Sequence, residues 1–199
     1  MTPSTGSRLP AAERRQELLE AALRVFSAGS YAGATTAGIA REAGVSEPIL
    51  YRHFESKRDL YLACLDEAWQ RVRERVEDAV AELGAAEGWR ATGPATMREL
   101  KVVVPSLWMQ AITEAGEDEE IRRHVRRHMR EVHDFFADVL RRVQAEGGVR
   151  ADRDTDVEAW IFVAGSLLVS IADRLGGPLR AEDFEAIKRE RLRWLTGSD

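Results

Sequence analysis

The sequence predicts an all-helical protein of about nine helices. Apolar residues recur at helical spacing along nearly the whole chain, and no stretch of strand length alternates between apolar and polar residues. With 199 residues, of which 44% are hydrophobic and 32% charged, the chain is long enough to bury a sizeable core. The composition therefore favours packed helices over a disordered chain.

Composition and charge exclude several classes of protein. The longest nearly uncharged apolar stretch, 160–172, is shorter than the roughly 20 residues that cross a bilayer. The N-terminus lacks the apolar core of a secretory signal, and the single Cys64 excludes an internal disulfide. We therefore expect a cytoplasmic protein that does not enter membranes. The net charge of −5 does not exclude a nucleic-acid partner, because residues 1–60 hold eight Lys and Arg against seven Asp and Glu.

Start and stop residues delimit the predicted helices. Thr35 and Thr36 are suited to cap a helix N-terminus, and Ser46 is suited to cap the next helix, with Pro48 in its first turn. Ser56 and Asp59 have the spacing that begins a long helix. The predicted helices are 11–28, 35–43, 46–54, 57–83, a short turn around Trp89, 97–115, 117–146, 155–175 and 181–195.

Two of the later helices are unusual. Pro105 follows three valines, which predicts a kink or a break inside 97–115. The segment 155–175 is apolar on almost every side, so it must be covered on more than one face.

The segment 35–54, TTAGIAREAGVSEPILYRHF, has the pattern of a helix-turn-helix. Ala40 is small enough for close helix approach, and Gly44 suits a sharp turn because glycine adopts positive φ. Leu50 and Phe54 would anchor the second helix in the core. Several of the remaining side chains then face outward on one surface.

The run from Gly33 to Leu65, G-x-TT-xx-IA-xx-AGVS-xxx-LY-x-HF-x-SK-xx-L, resembles the DNA-binding domain of the TetR family of bacterial transcriptional regulators. Counting the first helix, the resemblance covers about a third of the chain. It implies a flexible tail over 1–10, a DNA-binding domain over 11–56 and a ligand-binding and dimerisation domain over 57–199. It further implies a homodimeric repressor, released from a palindromic operator by a small molecule, and no enzyme.

The same resemblance assigns the DNA contacts residue by residue. The implied phosphate contacts are Thr36, placed at the N-cap of the first motif helix, with Tyr51, His53 and Lys57. The implied base contacts in the major groove are Ser46, Glu47, Pro48, Ile49 and Arg52. Glu47 could accept from a cytosine amino group and Ile49 could touch a thymine methyl group. These two residues are not fixed in the family pattern, so they are candidates for the specificity of this chain.

The family places a ligand cavity in the larger domain, where aromatic and soft side chains accumulate. The candidate lining residues are Trp69, Trp108, Met109, His128, Phe135 and Trp160, of which most also fit a simple core. Such a pocket would take a largely apolar small molecule. The helices 155–175 and 181–195 would form a four-helix bundle with a second subunit.

The sequence also allows other interpretations. His124 and His128 share a helix face and could hold a metal, which would suit a metal-dependent enzyme, but His133 falls elsewhere on the helix and no catalytic set accompanies them. We therefore expect no metal or cofactor. The basic run 122–130 has acidic neighbours at i,i+4 spacing and is interpreted as a solvated face. The helix-turn-helix could also serve protein contacts alone, or the regulator could act without a ligand.

Overall fold

The computed structural model describes residues 10–92 and 104–197, and within these ranges the chain forms nine helices and no strand. This confirms the predicted fold class. The helices are α1 (Ala11–Ala28), α2 (Thr36–Glu42), α3 (Glu47–Leu50), α4 (Lys57–Leu83), α5 (Ala85–Ala91), α6 (Val104–Glu114), α7 (Glu119–Ala145), α8 (Thr155–Arg174) and α9 (Ala181–Thr196). In the described part of the chain, no helix combines the length and apolar character needed to span a membrane.

Contacts between Cα atoms divide the chain into two compact units, the first ending at Glu67 and the second beginning at Ala68. The division falls within α4. The boundary expected from the sequence, between 56 and 57, stays a prediction, and the expected tail lies outside the described residues except for Pro10.

The first unit is built on the apolar face of α1. Leu18, Leu19 and Phe26 are at most 1% exposed, and they recur at the spacing that places them on one side of the helix. The ring of Phe26 meets the ring of Tyr61 edge to face, with centroids 4.9 Å apart, and the ring of Tyr31 lies 4.7 Å from Tyr61. α1 packs against α2, and α2 packs against α3.

The start of α4 confirms the predicted cap. The amide of Asp59 donates to the Ser56 hydroxyl at 3.0 Å, and the Asp59 carboxylate accepts from the amide of Glu55 at 2.9 Å. The first bond satisfies a backbone donor that a helix N-terminus otherwise leaves open, and the second ties the residue before the cap to the first turn.

The second unit has its own apolar core, formed mainly by α4 and α7. Val72 and Val76 of α4 belong to one buried cluster with Phe136, Val139 and Leu140 of α7. The helix α7 ends at Ala145, and Gly147 follows it at φ 78°, a conformation that favours glycine. The predicted turn around Trp89 is the seven-residue helix α5.

Pro105 lies in the first turn of α6 rather than inside a longer helix. A proline is tolerated there because the first amides of a helix have no partner within it. Residues 97–103 of the predicted helix 97–115 lie outside the described residues.

The helices α8 and α9 carry an exposed apolar face. Along α8 and just beyond it, the large apolar residues that are at least 40% exposed are Val157, Trp160, Ile161, Leu168, Ile171 and Leu175, and on α9 they are Ile187, Leu192 and Trp194. Within α9, Leu195 is the buried residue. A surface of this kind in a folded chain indicates a site of interaction.

A buried carboxylate joins α8 to α9. Glu158 is 4% exposed, and it accepts hydrogen bonds from the Arg191 guanidinium and from the Trp194 indole, the latter at 3.0 Å. Arg153 lies over the Trp194 ring at 4.1 Å, and the amide of Arg150 donates to the Leu195 carbonyl at 2.8 Å. Because its charge is paired and hydrogen-bonded, Glu158 is tolerated in the interior.

Glu146 connects the end of α7 to the start of α5. Its carboxylate accepts from the amides of Ala85 and Ala86, at 3.1 and 3.0 Å. These two backbone hydrogen bonds stabilise the charged form, with a smaller contribution from Arg142, and hold the pKa of Glu146 below its ordinary value of 4.5.

The depressed pKa predicts a pH-dependent contribution to stability. A carboxyl with a lowered folded-state pKa stabilises the fold above its unfolded-state pKa, and the stabilisation disappears as the pH falls through the folded-state value. Replacing Glu146 by Gln should therefore lower the thermal midpoint near pH 7, and the deficit should shrink as the pH falls below 4.5, the ordinary value of the glutamate pKa. Glu82→Gln, at an exposed position of α4, is the charge-matched control. A deficit that stayed constant over this range would contradict the assignment.

Candidate nucleic-acid interface

The turn between α2 and α3 brings the two helices together as the sequence predicts. Gly44 adopts φ 67°, and the amide of Val45 donates to the carbonyl of Ala40 at 2.9 Å. Leu50 is fully buried and Phe54 is 2% exposed, which confirms both as core anchors. The remaining side of α3 is thus left for other contacts.

The structure differs from the prediction in the length of α3. The sequence predicted a helix to Phe54, but α3 ends at Leu50. The reason lies in the hydrogen bonds, because the amides of Arg52 and His53 bond to carbonyls three residues back rather than four. This tighter winding continues the turn without extending the α-helix.

The residues predicted to contact bases and phosphates occupy accessible positions on and around α3. Ser46, Pro48, Tyr51 and Arg52 are exposed, and Glu47, Ile49 and His53 are half-buried. Ser46 is the N-cap residue of α3, but its side chain makes no capping hydrogen bond. The accessible set therefore presents apolar, hydroxyl, carboxylate and guanidinium groups along one short segment.

The N-cap of α2 is Thr35, not Thr36. The Thr35 hydroxyl accepts from the amide of Gly38 at 3.1 Å, whereas Thr36 is the first helical residue. The predicted capping role of Thr36 is therefore wrong. Two adjacent threonines suit the cap equally by type, and the extended backbone of Thr35, with φ −117° and ψ 147°, selects it.

Thr36 instead joins two of the other predicted DNA contacts. Its hydroxyl donates to a carboxylate oxygen of Glu47 and lies 3.2 Å from the hydroxyl of Tyr51. An ionised carboxylate can only accept, so the single Thr36 proton is directed at Glu47. It follows that Tyr51 donates to Thr36. We call these three side chains the Thr36–Glu47–Tyr51 cluster.

Lys57 is held by the loop between α1 and α2. Its ammonium donates to the carbonyls of Tyr31 and Ala34, at 3.0 and 3.2 Å, and lies 4.3 Å from the centre of the Tyr31 ring. An ammonium has three donors, so these bonds use two of them. The predicted phosphate contact would rely on the third.

In the second unit, four of the six candidate ligand residues meet in one aromatic cluster. Trp69 and His128 have ring centroids 6.0 Å apart, Trp108 and His128 5.0 Å, and Trp69 and Phe135 5.4 Å. Met109 is half-buried next to Trp108 on α6. Trp160 stacks instead on His133 at 4.3 Å and is 44% exposed.

The histidines of α7 divide as their spacing predicts. His124 and His128 are buried with stacked rings 6.0 Å apart, while His133 bonds to the carbonyl of Asp156 at 3.1 Å. Arg127 donates to the Nδ1 atom of His124 at 3.0 Å. The absence of a metal stays a prediction, which elemental analysis of the purified protein would test.

The basic run of α7 is paired along its own helix. Glu119 contacts Arg123 at 3.6 Å and Glu131 contacts Arg127 at 3.7 Å, both at the predicted i,i+4 spacing. Asp134 bonds to the neighbouring His133 at 2.9 Å instead. The arginines are exposed, so the interpretation as a solvated face agrees with these pairs.

The comparison with protein-family models matches residues 18–64 to the model described as bacterial regulatory proteins, tetR family. The match contains all of α2 and α3 and the Thr36–Glu47–Tyr51 cluster. Residues 18–64 therefore form a domain of the TetR-family type.

Curated relatives of the TetR family match different shares of the chain. It is 55% identical to the transcriptional activator FasR of Mycolicibacterium smegmatis over 60 residues. These residues make up 30% of this chain and 27% of FasR. It is 33% identical over 116 residues to the regulator BetI of Rhizobium meliloti, and the match covers 55% of this chain and 56% of BetI. The chain thus spans from about a quarter to about half of the length of these relatives. The repressor KstR2 of M. smegmatis is 29% identical over 191 residues, covering 92% of this chain and 89% of KstR2.

Solved structures agree with the TetR fold over nearly the whole chain. A TetR-family regulator from Rhodococcus sp. superposes with a TM-score of 0.79 at 20% identity, covering 93% of this chain and 99% of that protein. The regulatory protein TetR from Rhodobacter sphaeroides superposes with a TM-score of 0.75 at 21% identity, and the match covers 92% of this chain and 98% of that protein. At these identities the likeness concerns the fold.

Two residues important to this TetR-type unit escape sequence reasoning. Tyr31 supplies both a ring and a carbonyl to Lys57, and Thr35 supplies the cap of α2. For Tyr31, the one signal in the sequence is that an aromatic residue stands in the loop 29–33, between two glycines. Nothing in the sequence pattern separates Thr35 from Thr36.

Proposed function

We propose that this chain is a homodimeric, sequence-specific DNA-binding transcriptional regulator, a repressor that a small, largely apolar ligand releases from a palindromic operator. The observation that carries the proposal is the surface of α3. Within the segment that the family model matches, it gathers accessible residues suited both to phosphates and to base edges.

The contacts divide by chemistry. The hydroxyls of Thr36 and Tyr51, the His53 ring and the Lys57 ammonium suit phosphate oxygens, which any DNA sequence offers. The residues suited to base edges in the major groove are Ser46, Glu47, Pro48, Ile49 and Arg52.

The proposed dimer is supported by the exposed apolar face of α8 and α9. Along α8, Val157, Ile161, Leu168 and Ile171 recur at spacings of three, four or seven residues, so they lie on one side of the helix. Paired through a two-fold axis, α8 and α9 of two chains form a four-helix bundle. Two α3 helices about one DNA turn apart, roughly 34–36 Å, would then contact a palindrome.

The proposed ligand site is supported by the aromatic cluster of the second unit. Trp69, Trp108 and His128 are each less than 9% exposed, and their rings meet at distances typical of aromatic packing. The name of KstR2 describes a repressor, and the name of FasR an activator. DNA release by apolar compounds, with loss of release in Trp108→Ala, would support ligand control.

The experiment that tests DNA binding is selection of sequences from a random DNA pool, at a low and a higher salt concentration. Because phosphate contacts release counterions, we expect an enriched palindrome whose affinity falls steeply with salt. Enrichment of a site that is not symmetric would contradict the dimer. Binding to no DNA at low salt, before and after refolding to remove trapped ligand, would contradict the function and favour a helix-turn-helix that serves protein contacts.

Variants at α3 should separate phosphate contacts from base contacts. Lys57→Ala removes a charged phosphate contact that lies outside the Thr36–Glu47–Tyr51 cluster, and it should weaken binding to selected and random DNA alike, by about tenfold. Ile49→Ala should change the preferred base at one position of each half-site and have little effect on random DNA. The loss of binding free energy at the original base should be about 1–3 kcal/mol. Ile112→Ala, at a half-exposed position of α6, is the control. Equal shifts in sequence preference for both variants would contradict the assignment.

A further inference from the structure

The Thr36–Glu47–Tyr51 cluster poses a problem for phosphate binding. A phosphate oxygen accepts hydrogen bonds, so Thr36 and Tyr51 must each direct a proton at it. In the structure the Thr36 proton is directed at Glu47 and the Tyr51 proton at Thr36. Both donors are therefore already engaged, and the group that engages them carries a negative charge.

The negative charge of Glu47 opposes phosphate binding in addition to the competition for the protons of Thr36 and Tyr51. If Thr36 and Tyr51 turned to a phosphate while Glu47 stayed in place, the carboxylate would lose its donor and would face a second anion. Glu47 is half-buried, so water would replace the lost donor only in part. DNA binding therefore requires the carboxylate to find another donor.

Where the major groove places such a donor depends on the base sequence. The N4 amino group of cytosine and the N6 amino group of adenine can donate to a carboxylate, whereas guanine presents only acceptors there and thymine an acceptor and a methyl group. Glu47 is at the first position of α3, four residues before Tyr51, so one side of this short segment carries both side chains. A cytosine amino group beneath α3 would draw the carboxylate away from Thr36.

We propose that Glu47 couples base recognition to the phosphate contacts. On DNA without a suitable amino group, its carboxylate keeps the hydroxyls of Thr36 and Tyr51 engaged and repels the backbone. On the preferred site, the amino group of the base donates to the carboxylate, and the hydroxyls of Thr36 and Tyr51 turn to the phosphate. Glu47 is thus a specificity-determining residue that acts mainly by weakening the binding of wrong sequences.

This inference rests on the proposed function, and its test compares two charge-matched variants. Glu47→Gln keeps the shape and the acceptor oxygen but removes the charge. Glu55→Gln removes the same charge from an exposed side chain just after α3, outside the cluster. Affinities are measured for random DNA and for the DNA selected by the unmodified protein, at one salt concentration.

Glu47→Gln should bind random DNA about tenfold more tightly than the unmodified protein, a gain of ~1.4 kcal/mol. The ratio of selected to random affinity should fall by at least tenfold. Glu55→Gln should change both affinities by the same small factor. When Thr36→Val removes the hydroxyl that Glu47 engages, adding Glu47→Gln should have a smaller effect than it has alone, because only the repulsion between the carboxylate and the phosphates is left to remove.

Each alternative outcome has one meaning. Equal effects of Glu47→Gln and Glu55→Gln on random DNA would overturn the coupling and leave the DNA-binding function intact. So would an effect of Glu47→Gln that persists in full beside Thr36→Val. Absence of salt-dependent DNA binding by the unmodified protein would overturn both. If Glu47→Gln failed to fold by circular dichroism, Glu47→Ala would serve in the same comparison.

Discussion

Replacing Ile161 by Asp should convert the protein from a dimer to a monomer. Ile161 lies on the exposed apolar face of α8 and is 42% exposed in the single chain. In the proposed four-helix bundle, the two-fold symmetry places one new carboxylate from each chain in the interface, where both would be buried without partners. We expect dimer affinity to fall by at least about 3 kcal/mol, more than a hundredfold. Sedimentation equilibrium measures this directly, and affinity for a full palindrome should fall towards that for a half-site.

Ile112→Asp provides a matched control for this experiment. It makes the same substitution in a helix, α6, at a residue that is 39% exposed. A dimer that survived Ile161→Asp at micromolar concentration, or that was lost equally in both variants, would contradict the proposed interface.

Replacing Gly88 by Ala should destabilise the second unit, although the same change usually stabilises a helix. A Cβ atom at Gly88 would lie 2.7 Å from the backbone of Ala79 and Val80 in α4. Backbone atoms cannot move aside as a flexible side chain can, so α5 would have to shift away from α4. We expect a loss of about 2–3 kcal/mol of unfolding free energy, or roughly 5–10 °C in the thermal midpoint.

The sign of the effect is what distinguishes this packing from helix propensity. Propensity alone would make Gly88→Ala stabilising by roughly 0.5–1 kcal/mol. Glu87→Ala, at the exposed neighbouring position of the same helix, should change the stability by less than about 0.5 kcal/mol. An unchanged or raised midpoint for Gly88→Ala would refute the close approach of α5 and α4.

Helix positions were predictable because apolar periodicity, caps and glycines all act locally. α1 matches the predicted 11–28, α4 matches the predicted 57–83, and the long α7 ends one residue before the predicted 146. The end of α3 was not predictable. Whether an amide bonds three or four residues back depends on how the following turn packs, which the residue types do not encode.

The chemistry of the candidate site was predictable by residue type but not by partner. Lys57 is 26 positions from Tyr31 in the sequence, and only the folded loop brings the ammonium to that carbonyl. Glu47 was expected to face a base, yet the structure shows it accepting from Thr36, 11 positions away. Contacts between side chains of different elements need tertiary geometry, which a single sequence does not provide.

The bonds from Glu158 to Arg191 and Trp194 bear on how two chains would assemble. They fix α8 and α9 to each other within one chain, before any partner is present. Association would therefore bring together two preformed surfaces, without backbone folding at the moment of encounter. The entropy lost would be mainly that of overall tumbling and of surface rotamers, so pairing would proceed at the rate of rigid-body docking.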